Sequence, residues 1–508
     1  MLQKIIAFFQ SIVMAIAGLL GLNFGTGGTE IMPFGEIDNT KWNYYKSADV
    51  WWQAGLTYCE KPVDTTYQTL GIYVPGKYMT GEKNEDGYYT CTLTKEAVEG
   101  YTAETAPVVM PVNTPGYSAM KAPIGFEKRA SEYTEAGFIY INAGCRGRDQ
   151  GAPAGVTDLK AAVRFIRWNK DCIPGDTDKI FTFGHSGGGA QSSLMGATGD
   201  SKMYTPYLKS IGAVMTESDA IYGAMCWCPI TALDTANGAY EWNIGATRNR
   251  LSDEEQKISD ALAKSYAGYI NEIGLKDKNG NTLILENTDD GIYQSGSYYD
   301  YVCGVVADSL TAYIEEKGYN PEYYLKLIDF KGNYTKYENG KIVITDLSAF
   351  ADKHKSAGKD VCAFDGLTRQ QTENVVFNID GESLHFDKYL YEILKDTEYE
   401  TAFAEDFART DALGKTVEYR ENMYNPMYFI SDYYDGYGTS TVAPNWRIRS
   451  GIEQGDTALT VEINLALALS TLGKNVDFAT VWGEGHTEAE ASGTSSDNFI
   501  SWVNELCK

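Results

Sequence analysis

The pattern G-x-S-x-G occurs at Gly184-His185-Ser186-Gly187-Gly188. Small residues two positions before and two positions after a serine allow a sharp turn between a strand and a helix, in strained backbone geometry. Such a turn projects the hydroxyl above the sheet, where the N-terminus of the helix faces a developing negative charge. An apolar stretch at 180–183 precedes the pattern, and a helix-forming stretch at 190–195 follows it. This context predicts that Ser186 is a nucleophile.

A serine hydroxyl of ordinary pKa needs a general base, and the chain offers four histidines. His486 follows the last predicted strand, and α/β-hydrolases carry their base in the loop after that strand. His185 is adjacent to Ser186 along the chain, which usually points its ring elsewhere. His354 and His385 lie in the polar stretch 231–440, which is predicted to be an inserted lid and not part of the core. We therefore predict His486 as the base.

A carboxylate is expected to fix the tautomer of that histidine and to stabilise the imidazolium. Its usual place is after the penultimate core strand, where Glu453 and Asp456 both stand. Asp456 comes just before a predicted helix and could instead cap it. Asp234, after an earlier strand, occupies an alternative acid position. The order of preference is Asp456, then Glu453, then Asp234.

Two backbone N–H groups are expected to stabilise the oxyanion. One should belong to Gly187, directly after the nucleophile. The second should come from the loop after the strand predicted at 107–113. Pro115 has no N–H in that loop, which leaves Gly116 or Tyr117.

Strands and helices alternate in the first and last parts of the chain, which predicts a mostly parallel sheet with flanking helices. Strands are predicted at 107–113, 138–142, 179–183, 211–216, 221–230, 446–450 and 476–482, and helices at 126–135, 158–169, 457–472 and 499–507. The stretch 231–440 is polar and rich in Tyr, Asp, Gly and Lys, with hairpin turns expected at 277–281 and 338–341. We predict an α/β-hydrolase fold whose core, 27–230 and 441–508, is interrupted by an inserted lid at 231–440.

The charge and the cysteines exclude several classes of function. A formal net charge of −26 over 508 residues disfavours binding to nucleic acid or to anionic membranes, whereas a neutral ester fits easily. Nine cysteines without a dense framework, and only four histidines, make a Cys/His metal site improbable. No metal or organic cofactor is expected, and one or two disulfides are compatible with export.

The N-terminal residues 1–26 have the pattern of a signal peptide or a membrane anchor. A short basic start precedes an apolar run at 5–22, and a polar stretch follows. The protein is therefore expected to be secreted or membrane-anchored, with a membrane contact only through residues 1–22 if they are not cleaved.

Several further runs resemble bacterial tannases and their feruloyl esterase relatives. They are Asn-Ala-Gly-Cys-Arg-Gly-Arg-Asp at 142–149, Gly-Ala-Pro-Ala at 151–154, the helix start at 158–164, Pro-Gly-Asp at 174–176, 194–200 after the Ser186 turn, and Cys-Pro-Ile-Thr at 228–231. The resemblance implies an α/β-hydrolase with a large lid inserted before the last core strands. It also implies esterase action on hydroxylated aromatic acid esters through a Ser-Asp-His triad.

The resemblance also implies which residues recognise the substrate. Tannases bind galloyl hydroxyls with a lid lysine, a lid glutamate and an aspartate beside the catalytic acid, and Lys359, Glu373 and Asp456 match these. Lys359 and Glu373 could equally be solvated lid charges. The catalytic aspartate of the family pattern then falls at Gln454, which cannot carry the charge. The prediction is therefore the broader class of serine carboxylic ester hydrolase, working through an acyl-enzyme, with feruloyl- or galloyl-type esters as the leading substrates.

Two alternative functions remain open. One is a general lipase/esterase or a peptidase of the same fold, and the other is a non-catalytic ligand-binding protein on a hydrolase scaffold. The presence of both Ser186 and His486 argues against the second. The charged residues Arg146, Arg148, Asp149 and Asp158 are predicted to form a structural salt-bridge and turn cluster rather than to act in catalysis.

Overall fold

The computed structural model describes residues 31–289, 291 and 293–508, so the predicted signal peptide or anchor lies outside the described residues. The strands are β1 Asn43–Tyr45, β2 Val50–Thr57, β3 Thr69–Pro75, β4 Met79–Lys83, β5 Tyr89–Leu93, β6 Ala97–Val98, β7 Tyr101–Thr102, β8 Pro107–Val112, β9 Ile139–Ala143, β10 Asp176–His185, β11 Gly223–Trp227, β12 Thr335–Glu338, β13 Lys341–Ile344, β14 Asn445–Gly451 and β15 Asn475–Val481.

Helices flank these strands and fill the region between β11 and β14. They are α1 Ala130–Glu135, α2 Ala154–Trp168, α3 Gly187–Ala197, α4 Thr205–Ser210, α5 Leu233–Ile244, α6 Asp253–Ile273, α7 Ser297–Lys317, α8 Pro321–Ile328, α9 Leu347–His354, α10 Thr372–Val376, α11 Lys388–Ile393, α12 Glu400–Ala408, α13 Val417–Met423, α14 Pro426–Ile430, α15 Leu459–Thr471 and α16 Ser495–Cys507.

Nine strands form one sheet in the order β1-β2-β3-β9-β8-β10-β11-β14-β15. The six strands from β9 to β15 in this order pair in parallel, whereas β1, β2 and β3 add an antiparallel edge. Strands β8, β11 and β14 are buried along their whole length, as expected for parallel strands covered by helices on both faces. The predicted α/β-hydrolase fold is confirmed. Parallel pairing also brings the carboxyl ends of β10, β14 and β15 to one edge of the sheet.

Most of the predicted core elements are present with bounds shifted by a few residues. The strand predicted at 211–216 is wrong, because these residues form turns and bends after α4. The strand predicted at 221–230 is shorter and covers only β11. The helix predicted at 126–135 is limited to α1.

The stretch between β11 and β14 corresponds to the predicted insertion and is mainly helical, from α5 to α14. The hairpin predicted at 338–341 is confirmed, since β12 and β13 pair around Asn339 and Gly340, whose φ angles are 52° and 77°. The turn at 277–281 carries no strand ladder, only a bridge between Lys276 and Thr282. Whether the insertion folds as a separate domain stays a prediction.

Two charged clusters hold α2 against its neighbours. The predicted structural role of Arg146 and Asp158 is confirmed, because Arg146 Nε and Nη2 donate to the two carboxylate oxygens of Asp158 at 2.9 and 2.8 Å. In the second cluster, Asp219 accepts from Lys160 Nζ and Arg164 Nε, each at 2.7 Å. Lys160 Nζ also donates to the carbonyl of Thr198, which follows α3, at 2.6 Å. This cluster therefore fixes the far end of the helix that begins after Ser186.

All nine cysteines are unpaired, so the disulfides that export would permit are not formed in this structure. Within the described part of the chain, no helix combines the length and apolar character needed to cross a membrane.

Replacing Asp219 by alanine should lower the free energy of unfolding by about 3 kcal/mol, because the buried Lys160 and Arg164 lose the carboxylate that they share. Urea-induced unfolding measures this change. The control is Glu392→Ala, which removes the exposed, solvent-screened Lys395–Glu392 pair and should have a much smaller effect. Equal losses in the two variants would contradict the importance given to the buried cluster.

Candidate active site

Ser186 occupies a sharp turn between β10, which ends at His185, and α3, which begins at Gly187. Its φ and ψ angles are 58° and −124°, a conformation that is rare and strained for a residue with a side chain. The backbone N–H of Ser186 donates to the carbonyl of Trp227 at 3.0 Å, which ties the turn to the end of β11. The Ser186 side chain lies at the carboxyl end of the central strands, as the sequence pattern predicts.

The flanking glycines are required because the chain passes very close to β8. A Cβ atom on Gly188 would lie 2.0 Å from the carbonyl oxygen of Val112, and one on Gly184 would lie 2.6 Å from the same atom. Neither position can therefore accept a side chain without displacing backbone. This is the physical reason for the small residues in the pattern.

His486 lies in the loop after β15 and faces Ser186. Its Nε2 atom is 2.8 Å from Ser186 Oγ, a hydrogen bond between residues 300 positions apart. Burial, aided by the positive charges of Lys355 and Lys359, lowers the pKa of His486 to about 4, although Asp456 acts in the opposite direction. The imidazole is therefore neutral near pH 7 and can accept a proton.

The other three histidines have different surroundings. The His185 ring centre is 4.8 Å from that of His486. His354 Nε2 is 2.7 Å from the Tyr334 hydroxyl oxygen, and His385 Nδ1 is 2.7 Å from Asp365 Oδ1. Neither of these two hydrogen bonds involves Ser186.

The position of the triad acid is occupied by an amide. Gln454 Oε1 is 2.7 Å from Nδ1 of His486, and the Gln454 side chain is buried. The Gln454 Nε2 atom donates to Ser450 Oγ at 2.8 Å and lies 3.4 Å from Glu462 Oε1. The residue at the predicted family position thus contacts the histidine directly, although it carries no charge.

The three predicted acids do not take this position. Glu453 points to the other side of the loop, where Oε1 is 3.5 Å from His354 Nδ1. Asp234 is buried in α5 and accepts a hydrogen bond from the Tyr434 hydroxyl at 2.6 Å. Asp456 is exposed and influences the pKa of His486 through its charge, without a hydrogen bond to that ring. The acid assignments are therefore corrected, because the chain after β14 turns Gln454 inward instead.

The predicted oxyanion loop packs directly against the first turn of α3. A Cβ atom on Gly187 would lie 2.4 Å from Tyr117 N and 3.1 Å from Gly116 N. Because the Tyr117 N–H already donates to the Thr114 carbonyl at 2.9 Å, Gly116 is the better placed of the two predicted second donors. Arg148 Nη1 donates to the Gly116 carbonyl at 2.5 Å and thereby holds this loop.

Lys359 and Glu373, both in the insertion between β11 and β14, lie near the same site. The Glu373 side chain is buried, and its Oε2 atom has no hydrogen-bond partner among the described residues. Burial raises the pKa of Glu373, whereas the charges of Lys359 and Arg148 lower it. Lys359 Nζ lies 4.0 Å from the centre of the Phe364 ring. Glu373 is therefore not a solvated surface charge.

One group of side chains in the described residues has the composition of a metal site. The ligand atoms of His185, Cys228 and His486 all lie within 4.8 Å of one another. Without a metal ion, burial raises the pKa of Cys228 to about 11, so its thiol is protonated. That thiol donates to the Thr487 carbonyl at 3.3 Å and accepts from the Gly451 N–H at 3.4 Å. Cys228 therefore ties the histidine loop to the end of β14.

The fold and the Ser186–His486 contact together define a protein of the α/β-hydrolase class with a serine–histidine pair at the nucleophile turn. The family model BD-FAE matches residues 98–272. Among curated protein sequences, no match to the chain was found.

Solved structures extend the similarity over most of the chain. A tannase from Fusobacterium nucleatum is 28% identical, with a TM-score of 0.73, and the match covers 90% of this chain and 95% of that one. A tannin acyl hydrolase from Lactobacillus plantarum is 26% identical, with a TM-score of 0.74 and coverage of 94% and 99%. A tannin acyl hydrolase in complex with ethyl gallate is 27% identical, with a TM-score of 0.71 and coverage of 90% and 94%. The resemblance to bacterial tannases and feruloyl esterase-like proteins is confirmed.

Placing a carboxylate next to His486 should raise the pKa of this residue. In Gln454→Asp the new negative charge favours the imidazolium, so we expect the pKa to increase by about 1 to 3 units. NMR titration of histidine-labelled protein can follow this ring, because there are only four histidines. A His486→Ala variant assigns its signal.

Glu453→Gln is the matched control for this titration. It removes the charge of the neighbouring residue that faces His354, so the pKa of His486 should stay unchanged. A Gln454→Asp variant whose His486 titrates at the original pH would contradict the contact between these two side chains.

Proposed function

We propose that the protein is a serine carboxylic ester hydrolase that acts through an acyl-enzyme on esters of hydroxylated aromatic acids. The observation that carries this proposal is the 2.8 Å contact between Ser186 Oγ and His486 Nε2 at a strained strand–helix turn. The BD-FAE match and the similarity to tannases support the esterase class.

The proposed acylation step uses the groups at the turn. His486 Nε2 accepts the proton of Ser186 as the serine oxygen attacks the ester carbonyl carbon. The carbonyl oxygen gains the negative charge, and the N–H groups of Gly187 and Gly116 donate to it. The tetrahedral intermediate then expels the alcohol, which takes the proton from His486, and the acyl group remains on Ser186.

Deacylation repeats the sequence with water as the nucleophile. His486 accepts a proton from water, the resulting oxygen attacks the acyl carbon, and Ser186 leaves with the proton returned by His486. The acid product is released and the free enzyme is restored. Both proposed steps use only side chains and backbone N–H groups of this chain, with water as the second nucleophile.

The substrate class is proposed from the lid residues and the relatives. A buried carboxylate oxygen without a partner is costly, and a phenolic O–H of the substrate would satisfy Oε2 of Glu373. Lys359 and Asp456 supply further charged groups near the same site. Relatives have been solved in complex with 3,4-dihydroxybenzoate and with ethyl gallate, both hydroxylated aromatic compounds.

Ser186→Ala should abolish turnover of p-nitrophenyl acetate, methyl gallate and methyl ferulate, because no acyl-enzyme can form. Labelling by a fluorophosphonate probe should occur in the wild-type protein and be absent from the variant. Mass spectrometry of the labelled peptide identifies the modified serine.

The control for labelling is Ser193→Ala, which changes another buried serine in α3 that donates to the Ala190 carbonyl. This variant should label and turn over substrate as the wild-type protein does. A folded wild-type protein that neither labels nor hydrolyses any of the esters would identify the alternative, a non-catalytic binding protein.

Glu373→Gln should lower kcat/KM for methyl 3,4-dihydroxybenzoate by about 10- to 100-fold, because a hydrogen bond to a charged group is lost. Methyl benzoate lacks the phenolic hydroxyls, so its hydrolysis should change little. Glu382→Gln alters an exposed lid carboxylate that pairs with Arg409 and should affect neither substrate. Equal losses on both esters would assign Glu373 to the structure of the lid rather than to recognition.

A further inference from the structure

An amide beside the catalytic histidine creates a problem that a carboxylate does not. Gln454 can present either its carbonyl or its NH₂ group to His486 Nδ1, and each orientation selects a different imidazole tautomer. Only the tautomer with a proton on Nδ1 leaves Nε2 free to accept the proton of Ser186. In a serine protease, replacing the triad acid by an amide lowers turnover roughly 10⁴-fold because the wrong tautomer is held.

The groups behind Gln454 favour one orientation. Its Nε2 atom lies 2.8 Å from Ser450 Oγ and 3.4 Å from Glu462 Oε1. The Ser450 hydroxyl in turn donates to Glu462 Oε1 at 3.1 Å. An ionised carboxylate only accepts hydrogen bonds, so the serine proton is drawn to Glu462 and the serine oxygen is left to accept from the amide. The NH₂ group must then face inward, and the carbonyl must face His486.

Glu462 is completely buried, and its Oε2 atom has no hydrogen-bond partner among the described residues. It lies on α15 between the apolar residues Val461 and Ile463, where a carboxylate is costly unless it serves a purpose. Packing alone would be served better by an apolar side chain of similar volume. The stability of α15 therefore does not explain why a carboxylate occupies position 462.

A lid lysine compensates the charge. Lys355 is buried, and its Nζ atom donates to the backbone carbonyl of Gln454 at 2.7 Å. Burial raises the pKa of Glu462 to about 7, whereas Lys355 and the hydrogen bonds from Ser450 and Gln454 lower it. Burial lowers the pKa of Lys355 to about 8, and Glu462 opposes this. The two groups thus stabilise each other's charged form.

We propose that Glu462 is a positioning residue that supplies, through Gln454, the function that the missing triad acid would perform. It holds the amide with its carbonyl toward His486, and thereby keeps the proton on Nδ1 and the lone pair of Nε2 toward Ser186. This inference rests on the proposed esterase function for its kinetic consequences, and on the geometry alone for the tautomer.

A double-mutant cycle tests the kinetic consequence at pH 8, above the raised pKa of Glu462. Glu462→Gln should lower kcat about 10-fold or more with KM changed less than about 3-fold, because the amide of Gln454 is free to turn. In the Gln454→Asp background the same substitution should cost less than about 3-fold, since a carboxylate accepts from Nδ1–H in either orientation. A purely structural role would give the same loss in both backgrounds and would overturn the proposal.

The tautomer is measured without any substrate. In protein with ¹⁵N-labelled histidine rings, His486 should carry its proton on Nδ1 in the wild-type protein and should shift toward the Nε2–H form in Glu462→Gln. A wild-type Nε2–H tautomer, or an unchanged tautomer in the variant, would overturn the proposal. This readout holds even if no ester is turned over, so failure of the proposed function and failure of this inference are distinguishable.

Two further variants distinguish the proposed role of Glu462 from an effect on folding. Ser450→Ala removes the intermediate acceptor with a small change in volume, and should reproduce the tautomer shift and part of the loss in kcat if Glu462→Gln does not fold. Asp406→Asn neutralises a different buried carboxylate, which pairs with Arg369 in the lid. This control should leave the His486 tautomer and kcat unchanged in both backgrounds, and a change would contradict the assignment to Glu462.

Discussion

The left-handed backbone of Ser186 is the constraint on which the rest of the site depends. A residue with a side chain persists at a φ of 58° combined with a ψ of −124° only where its surroundings determine the conformation. Strand β10 pairs with β8 on one side and β11 on the other, and α3 begins one residue after Ser186, so the turn cannot relax. The close approach of Gly188 to Val112 completes this confinement. The hydroxyl direction is thereby fixed, and the other groups must be brought to it from distant parts of the chain.

The uncharged Gln454 changes what the surrounding residues must supply. A carboxylate at this position would both orient His486 and stabilise its protonated form, whereas an amide can do only the first. The negative charge of Asp456, on the exposed side, favours the imidazolium without contacting the ring, whereas Glu462 contacts the amide of Gln454. The lowered pKa of His486 agrees with this arrangement, since a buried imidazole without an adjacent carboxylate is a weak base. Orientation and charge stabilisation are thus divided between different residues.

The sequence predicted the parts of the fold that follow from local patterns. Apolar strands next to amphipathic helices identified β8, β10, β14, β15 and α2, and the glycine spacing identified the turn at Ser186. The helices of the insertion were missed because the overall composition of 231–440 is polar, although α7 carries buried apolar residues at helical spacing, Val302, Val306, Leu310 and Ile314. The resemblance placed the acid position at Gln454, but Asp456, Glu453 and Asp234 were preferred because Gln454 cannot carry the charge. The signal that could have found Glu462 is a single acidic residue within the apolar run of α15.

The insertion between β11 and β14 holds charged and polar groups against the loop after β14. Lys355 donates to the Gln454 carbonyl at 2.7 Å, and the Tyr240 hydroxyl donates to the neighbouring Gly455 carbonyl at 2.7 Å. The same hydroxyl accepts the N–H of Gly358 at 2.9 Å, so one tyrosine joins this segment of the insertion to the loop after β14. Separating this segment from the core would leave Glu462 as a buried charge without its cation, which is strongly unfavourable.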